Sequence, residues 1–180
     1  LARPLIDDVH HLDKIGIAAT RLNATIVREA LSDAGVSVSG TIPRRVDEAV
    51  QLLESRPVVV MGGTTPGHTT DAVAIRFAIA ASANRCIIAT NVAKVYSADP
   101  RHNPNANAFD KLTHDELQDI VVPDKHTIAG RSSVVGPVGV GEANRANMTL
   151  NILDGREINL IKAALEGNDF QGTIIFTERE

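Results

Sequence analysis

Four short, almost unbroken apolar runs set the strongest limit on how this chain can fold: Val58 to Met61, Cys86 to Ala89, Thr149 to Leu153 and Thr173 to Phe176. A strand that is apolar at nearly every position, rather than at every second one, is covered on both faces. Segments with helical spacing lie between these runs. Ile15, Ala18, Leu22, Ile26 and Ala30 recur at intervals of three and four, which predicts an amphipathic helix over 14–33, with Asp13 capping its start and Gly35 just past its end. Residues 41–53 repeat the logic, with Thr41 ahead of the helix, Pro43 in its first turn, and Val46, Ala49, Val50 and Leu53 on one face. A buried helix is expected over 71–82, a short one over 111–121 and another near 157–165. Strands and helices alternating in this way predict an α/β fold built on a mainly parallel sheet, and 180 residues suit a single domain.

With four Phe, one Tyr and no Trp, the core must be assembled from Val, Ile, Leu and Ala. The net charge of −4 and the lack of a basic stripe argue against nonspecific binding of nucleic acid, which depends on clustered Lys and Arg. Cys86 is the single cysteine and sits in an apolar run, so it reads as a small buried hydrophobe in a cytoplasmic protein. No apolar stretch approaches the roughly 18 residues of a membrane span, and no partner membrane is expected. The chain opens on Leu and runs at once into patterned sequence, which suggests that an upstream part is absent.

Residues 58–74 are the most informative for chemistry. In an open α/β sheet ligands bind beyond the carboxyl ends of strands, where this loop must lie. Gly62, Gly63 and Gly67 let backbone amides approach an anion, and Thr69 and Thr70 offer hydroxyls at the mouth of the next helix. Asp71 puts a carboxylate where phosphate is expected, which calls for a cation or a lysine between them. Equally, Thr70 and Asp71 serve as ordinary helix caps. A second candidate follows Cys86 to Ala89: Thr90 and Asn91 end the strand, Tyr96 offers an aromatic face, and Asp99 with Pro100 forms a stiff turn, a set suited to a base and ribose but also to a plain loop. Asp13 and Arg21 form a third pair, each with a routine reading as cap and solvated side chain. Gly136 to Gly141 imitates a dinucleotide fingerprint with the wrong spacing and reads as a flexible loop. The six His show no metal-ligand spacing, and no hydrolase motif is present.

Met61 to Val73, Ile15 to Ala24, and Ala89 to Val92 followed by Val95 to Pro100 closely resemble the archaeal UMP kinases of the amino-acid kinase superfamily, from about Asp13 to Ile175. The resemblance implies a three-layer αβα sandwich, a homohexamer, and transfer of the ATP γ-phosphate to UMP with Mg²⁺, a step of pyrimidine nucleotide biosynthesis. It further implies that Asp13 holds the UMP ribose and that Thr64, Thr65, Pro66, Gly67, His68, Thr69 and Thr70 surround UMP and its phosphate. Thr90, Tyr96 and Asp99 match positions that contact ATP, and Asp71 matches the Asp that organises metal and lysines around the transferring phosphate. The family opens with a strand entering a GlyGlySer turn and has a second glycine triplet, neither of which is in this chain, so its amino-terminal strands are expected to be missing. Ala93 and Lys94 replace the usual AspGly pair, and Gly136, Pro137, Gly139 and Gly141 stand where the family has a helix start with Asp and Lys. Competing readings are a kinase of an amino acid or carbamate and a catalytically silent nucleotide-binding or storage relative.

Overall fold

A computed structural model describes residues 5–121 and 134–178. The chain divides into two compact units, Leu1–Ala81 and Ser82–Glu180.

The first unit holds α1 (Val9–Asp33), α2 (Val46–Leu53) and α3 (Thr70–Ala80). Helix α1 starts earlier than its apolar spacing suggests, because Asp8 is the N-cap and accepts a hydrogen bond from the His11 amide at 3.1 Å. Asp13 therefore lies inside the helix and does not cap it. The other end matches expectation: Gly35 has φ +78°, its amide donates to the Ser32 carbonyl, and the Val36 amide donates to Leu31, closing the helix in a Schellman motif. The inward face is not the expected stripe. Ile15, Leu22 and Ile26 are 43, 63 and 60% exposed, while Ala24 is buried and Ile17, Thr20 and Arg21 are partly buried. Polar ties choose this face. Arg21 donates to the Pro43 and Ile42 carbonyls at 2.8 and 2.9 Å, and Arg28 donates to the Gly40 carbonyl at 2.9 Å. These ties also explain the late start of α2, since they hold the chain around Pro43 outside the helix. The expected strand at 57–63 is reduced to one parallel bridge, Val38 to Val58, because no further strand lies beside it among the described residues.

The second unit contains β1 (Arg85–Thr90), β2 (Val95–Tyr96), β3 (Ala108–Phe109), β4 (Lys111–Thr113), α4 (His114–Val121), α5 (Pro137–Arg145), β5 (Thr149–Asp154), α6 (Ile158–Glu166) and β6 (Thr173–Phe176). Its main sheet has the order β1-β5-β6-β4, with β1 parallel to β5, β4 parallel to β6, and β5 antiparallel to β6. Leu150 and Ile152 on one face of β5 and Asn151 and Leu153 on the other are all buried, as a strand covered on both sides requires. Helix α6 packs on β1 and β5, and α4 packs on β4 and β6. Two segments differ from expectation. Lys111 to Thr113 pair with β6 before the α4 helix begins. Gly136 to Gly141 is no loop: Pro137 opens α5, whose Gly139, Val140 and Ala143 are buried, so packing overrides the poor helix propensity of glycine. Cys86 is buried as expected.

Candidate functional site

The glycine loop of the first unit is hung from α1 at two points. The Gly63 amide donates to Thr20 Oγ1 at 2.9 Å, and that hydroxyl donates to the Ile17 carbonyl at 2.8 Å. Four residues further on, the Gly67 amide donates to Asp13 Oδ2 at 2.7 Å. Between these points Thr65, Pro66, Gly67 and His68 form a turn in which the His68 amide bonds the Thr65 carbonyl at 3.3 Å and Gly67 takes φ +84°, the pattern of a type II turn. Gly62 must be glycine, because an added Cβ would sit 2.8 Å from the Arg21 backbone nitrogen. The loop thus presses directly on the helix.

Asp13, Thr65, Pro66, His68 and Thr70 line one cleft of about 210 Å³ together with Thr20 and Gly63. Thr64, Gly67, Thr69 and Asp71 are not on its wall. Thr69 is the N-cap of α3, accepting from the Ala72 amide at 3.3 Å, so the cap is one residue earlier than Thr70. Asp71 is partly buried in the first turn of that helix. His68 Nδ1 lies 2.9 Å from the Arg76 guanidinium, which sets a cation on α3 beside the loop. A helix mouth, hydroxyls and a nearby guanidinium make a surface suited to an anion.

In the second unit Tyr96 and Asp99 border a largely apolar cavity of about 70 Å³ whose walls include Val92, Val95, Leu117 and Ile120. Thr90 does not line it. Asp99 is engaged by its own loop: Oδ1 accepts from the Arg101 amide at 2.9 Å and from its Nε at 3.0 Å, and Oδ2 accepts from Nη2 at 2.7 Å. The adjacent guanidinium, with the His102 ring 3.3 Å away, holds this carboxyl well below the usual carboxylate range. Lys94 forms an ion pair with Asp110.

Two further side-chain groups brace these segments, and neither stands out in the sequence. Thr20 is one. The other is the Asp154 and Arg156 pair at the carboxyl end of β5, directly beside Thr90 in register. Arg156 donates to both Asp154 oxygens, at 2.8 and 2.5 Å, and its hydrogen bonds lower the Asp154 carboxyl to about 2. The Gly155 amide donates to the Thr90 carbonyl at 2.7 Å, and Arg156 reaches the Asn91 carbonyl at 3.4 Å. The signal in the sequence is an Asp at the carboxyl end of an apolar strand.

Among the described residues no group of three or more His, Cys, Asp and Glu is placed to hold a metal ion, and no helix is long and apolar enough to cross a membrane. The profile of the amino acid kinase family matches residues 3–153, which include the Gly62 to Thr70 loop and the segment from Thr90 to Asp99. A uridylate kinase of Methanospirillum hungatei is 39% identical over 175 residues, 97% of this chain and 72% of the relative. One from Methanococcus vannielii is 39% identical over 163 residues, covering 91% of this chain and 70% of the relative. The crystal structure of uridylate kinase from Archaeoglobus fulgidus superposes with a TM-score of 0.82 at 37% identity, over 97% of this chain and 76% of that one. Profile, relatives and superposition agree, and the chain belongs to the amino acid kinase family, in its uridylate kinase branch.

Proposed function

We propose that this chain catalyses phosphoryl transfer from ATP to UMP, giving UDP and ADP. The observation that carries the reading is the glycine loop held against α1 by Asp13 and Thr20, in a chain 39% identical to a uridylate kinase. UMP is read into the cleft beside that loop. Asp13 gives one carboxylate oxygen to Gly67, which leaves Oδ1 to accept a ribose hydroxyl. Thr64 to Thr70 supply amides and hydroxyls for the monophosphate. A UMP phosphate oxygen attacks the γ-phosphorus as the bond to the β-bridging oxygen breaks, and ADP carries away the electron pair. Such a reaction needs alignment and charge compensation more than covalent help.

On the donor side, Tyr96 and the apolar cavity beside it suit an adenine ring. Asp99 shapes that loop through Arg101, and Thr90 with Asn91 is braced by Gly155 and Arg156. Mg²⁺ fits as the ion of ATP, a hard cation that phosphate oxygens and one or two carboxylates are enough to hold, and Asp71 is the carboxylate proposed for it. When bound, Mg²⁺ would compensate phosphate charge, while the chain's own residues orient the two nucleotides. The proposal includes one kinase domain over residues 1–180, a cytoplasmic setting, a place in pyrimidine nucleotide synthesis and a homohexamer. The exposed apolar face of α1, with Leu22 and Ile26 at 63 and 60%, supports self-association.

The test is ADP release from MgATP by the complete product of the gene, with UMP, CMP, AMP, aspartate, glutamate and carbamate offered in turn. UMP-selective release is the expected outcome. UMP binding with no release would identify the silent relative instead, and release with an amino acid or carbamate would move the chain to another branch of its family.

A further inference from the structure

The two anchors on α1 are seven residues apart, which on a helix is two turns and about 10.5 Å. The amides they receive, Gly63 and Gly67, are four residues apart in the loop, so one helix face fixes both ends of Thr64 to Pro66. The anchors differ in kind. Asp13 is a carboxylate on the cleft wall with an oxygen to spare. Thr20 is engaged in both directions: its oxygen accepts from Gly63 while its proton goes to Ile17. The space around it is equally committed, since an added Cβ on Gly63 would lie 3.0 Å from Thr20 Oγ1 and 3.3 Å from Ile17 Cγ1. Gly63 is buried, so removing the hydroxyl takes away the partner that fixes its amide against α1. Its neighbour Gly62 is already against the Arg21 backbone. Without that bond the first residue of the loop is free to lift away from α1, carrying Thr64 and Thr65 with it.

We propose that Thr20 is a positioning residue for the acceptor nucleotide: it acts through the Gly63 amide to set the height of the Thr64 to Gly67 loop above α1, and so sets affinity for the acceptor without affecting the donor. The inference rests on the reading of UMP as acceptor. It makes a division of labour that a purely structural threonine would not produce. Loss of fold stability lowers the amount of active enzyme and leaves KM values alone, whereas a displaced loop raises the KM for the acceptor in every folded molecule.

The experiment compares Thr20→Val, Thr20→Ala and Thr20→Ser in the complete gene product by steady-state kinetics, varying UMP and ATP separately. Thr25→Val serves as control, because the Thr25 hydroxyl bonds only the Arg21 carbonyl of its own helix, at 3.0 Å. Thr20→Val and Thr20→Ala are expected to raise the KM for UMP about tenfold, the effect of one lost hydrogen bond to a buried amide, with kcat and the KM for ATP within about twofold of the parent. Thr20→Ser should restore the KM for UMP, and Thr25→Val should leave it unchanged. If Thr20→Val fails to fold, the smaller Thr20→Ala variant carries the same comparison. An unchanged KM for UMP in the folded variants, or equal changes for UMP and ATP, overturns the inference while leaving the acceptor assignment intact. Absence of UMP turnover in the parent protein overturns the acceptor assignment itself.

Discussion

The two candidate nucleotide loops keep their shapes by opposite means. The loop from Gly62 to Thr70 makes few bonds within itself and depends on side chains more than forty positions away, Thr20 at a separation of 43 and Asp13 at 54. The loop from Ser97 to Asn107 is held from inside: Asp99 bonds Arg101 and His102, its carbonyl accepts from His102 and Asn103, and Ser97 and Asn107 exchange hydrogen bonds. A loop pinned from outside transmits any change in its support to the ligand. A loop closed on itself confines the damage. Substitutions around the first should therefore act sharply and on one substrate, and those around the second mildly.

The largest effect is expected from Gly62→Ala. The new Cβ would lie within 3 Å of the Arg21 backbone, which cannot yield as a side-chain tip can. Overpacking of this kind costs up to about 3 kcal/mol, which is about a hundredfold in kcat/KM for UMP, measured with ATP saturating. Next is Gly67→Ala, which forces an L side chain into φ +84°. At about 1–2 kcal/mol this should raise the KM for UMP about tenfold and leave the KM for ATP unchanged. Equal changes for both nucleotides would erase the contrast between the loops. Asp99→Asn should be milder, because its partners Arg101 and His102 are solvent-exposed; a rise in the KM for ATP of about fivefold or less is expected for a pair of that kind. A loss of activity as large as that of Gly62→Ala would show that the second loop is no more self-sufficient than the first.

What the sequence disclosed follows the same division. Local signals carry over into the structure: Gly35 lies just beyond α1, and three of the apolar runs form β1, β5 and β6. Features decided at a distance do not. Asp13 looked like a cap because Asp8, five residues earlier, gives the same local signal and wins the position. The apolar stripe of α1 pointed to the wrong face, since the bonds from Thr20, Arg21 and Arg28 lie on another side and are invisible in hydrophobic periodicity. Gly136 to Gly141 reads as a loop because its glycines imitate a dinucleotide fingerprint with the wrong spacing, yet burial of Val140 and Ala143 makes it a helix. The candidate site was legible as residue types on a loop after a strand. Which of them share a cleft was not: Tyr96 and Asp99 meet while Thr90 stands apart.

The smallest effect lies outside both loops. His114 is buried, with Nε2 donating to the Met148 carbonyl at 2.9 Å and Nδ1 accepting from Thr177 Oγ1 at 3.2 Å, and burial pushes its pKa down. The folded state therefore favours the neutral ring. Its contribution to stability is complete above the ordinary histidine pKa of about 6.5 and declines as pH falls below it, because the unfolded chain takes up the proton first. His114→Gln should flatten the fall in Tm between neutral pH and about pH 5.5 by about 2 °C, with no change in either KM.

The most direct test of the central claim is to follow the label from ATP carrying radioactive phosphorus at the γ position, with Mg²⁺, UMP and the complete gene product. The label is expected in UDP, in amounts equal to the ADP formed. Label recovered as inorganic phosphate, or in an acceptor other than UMP with none in UDP, would contradict it.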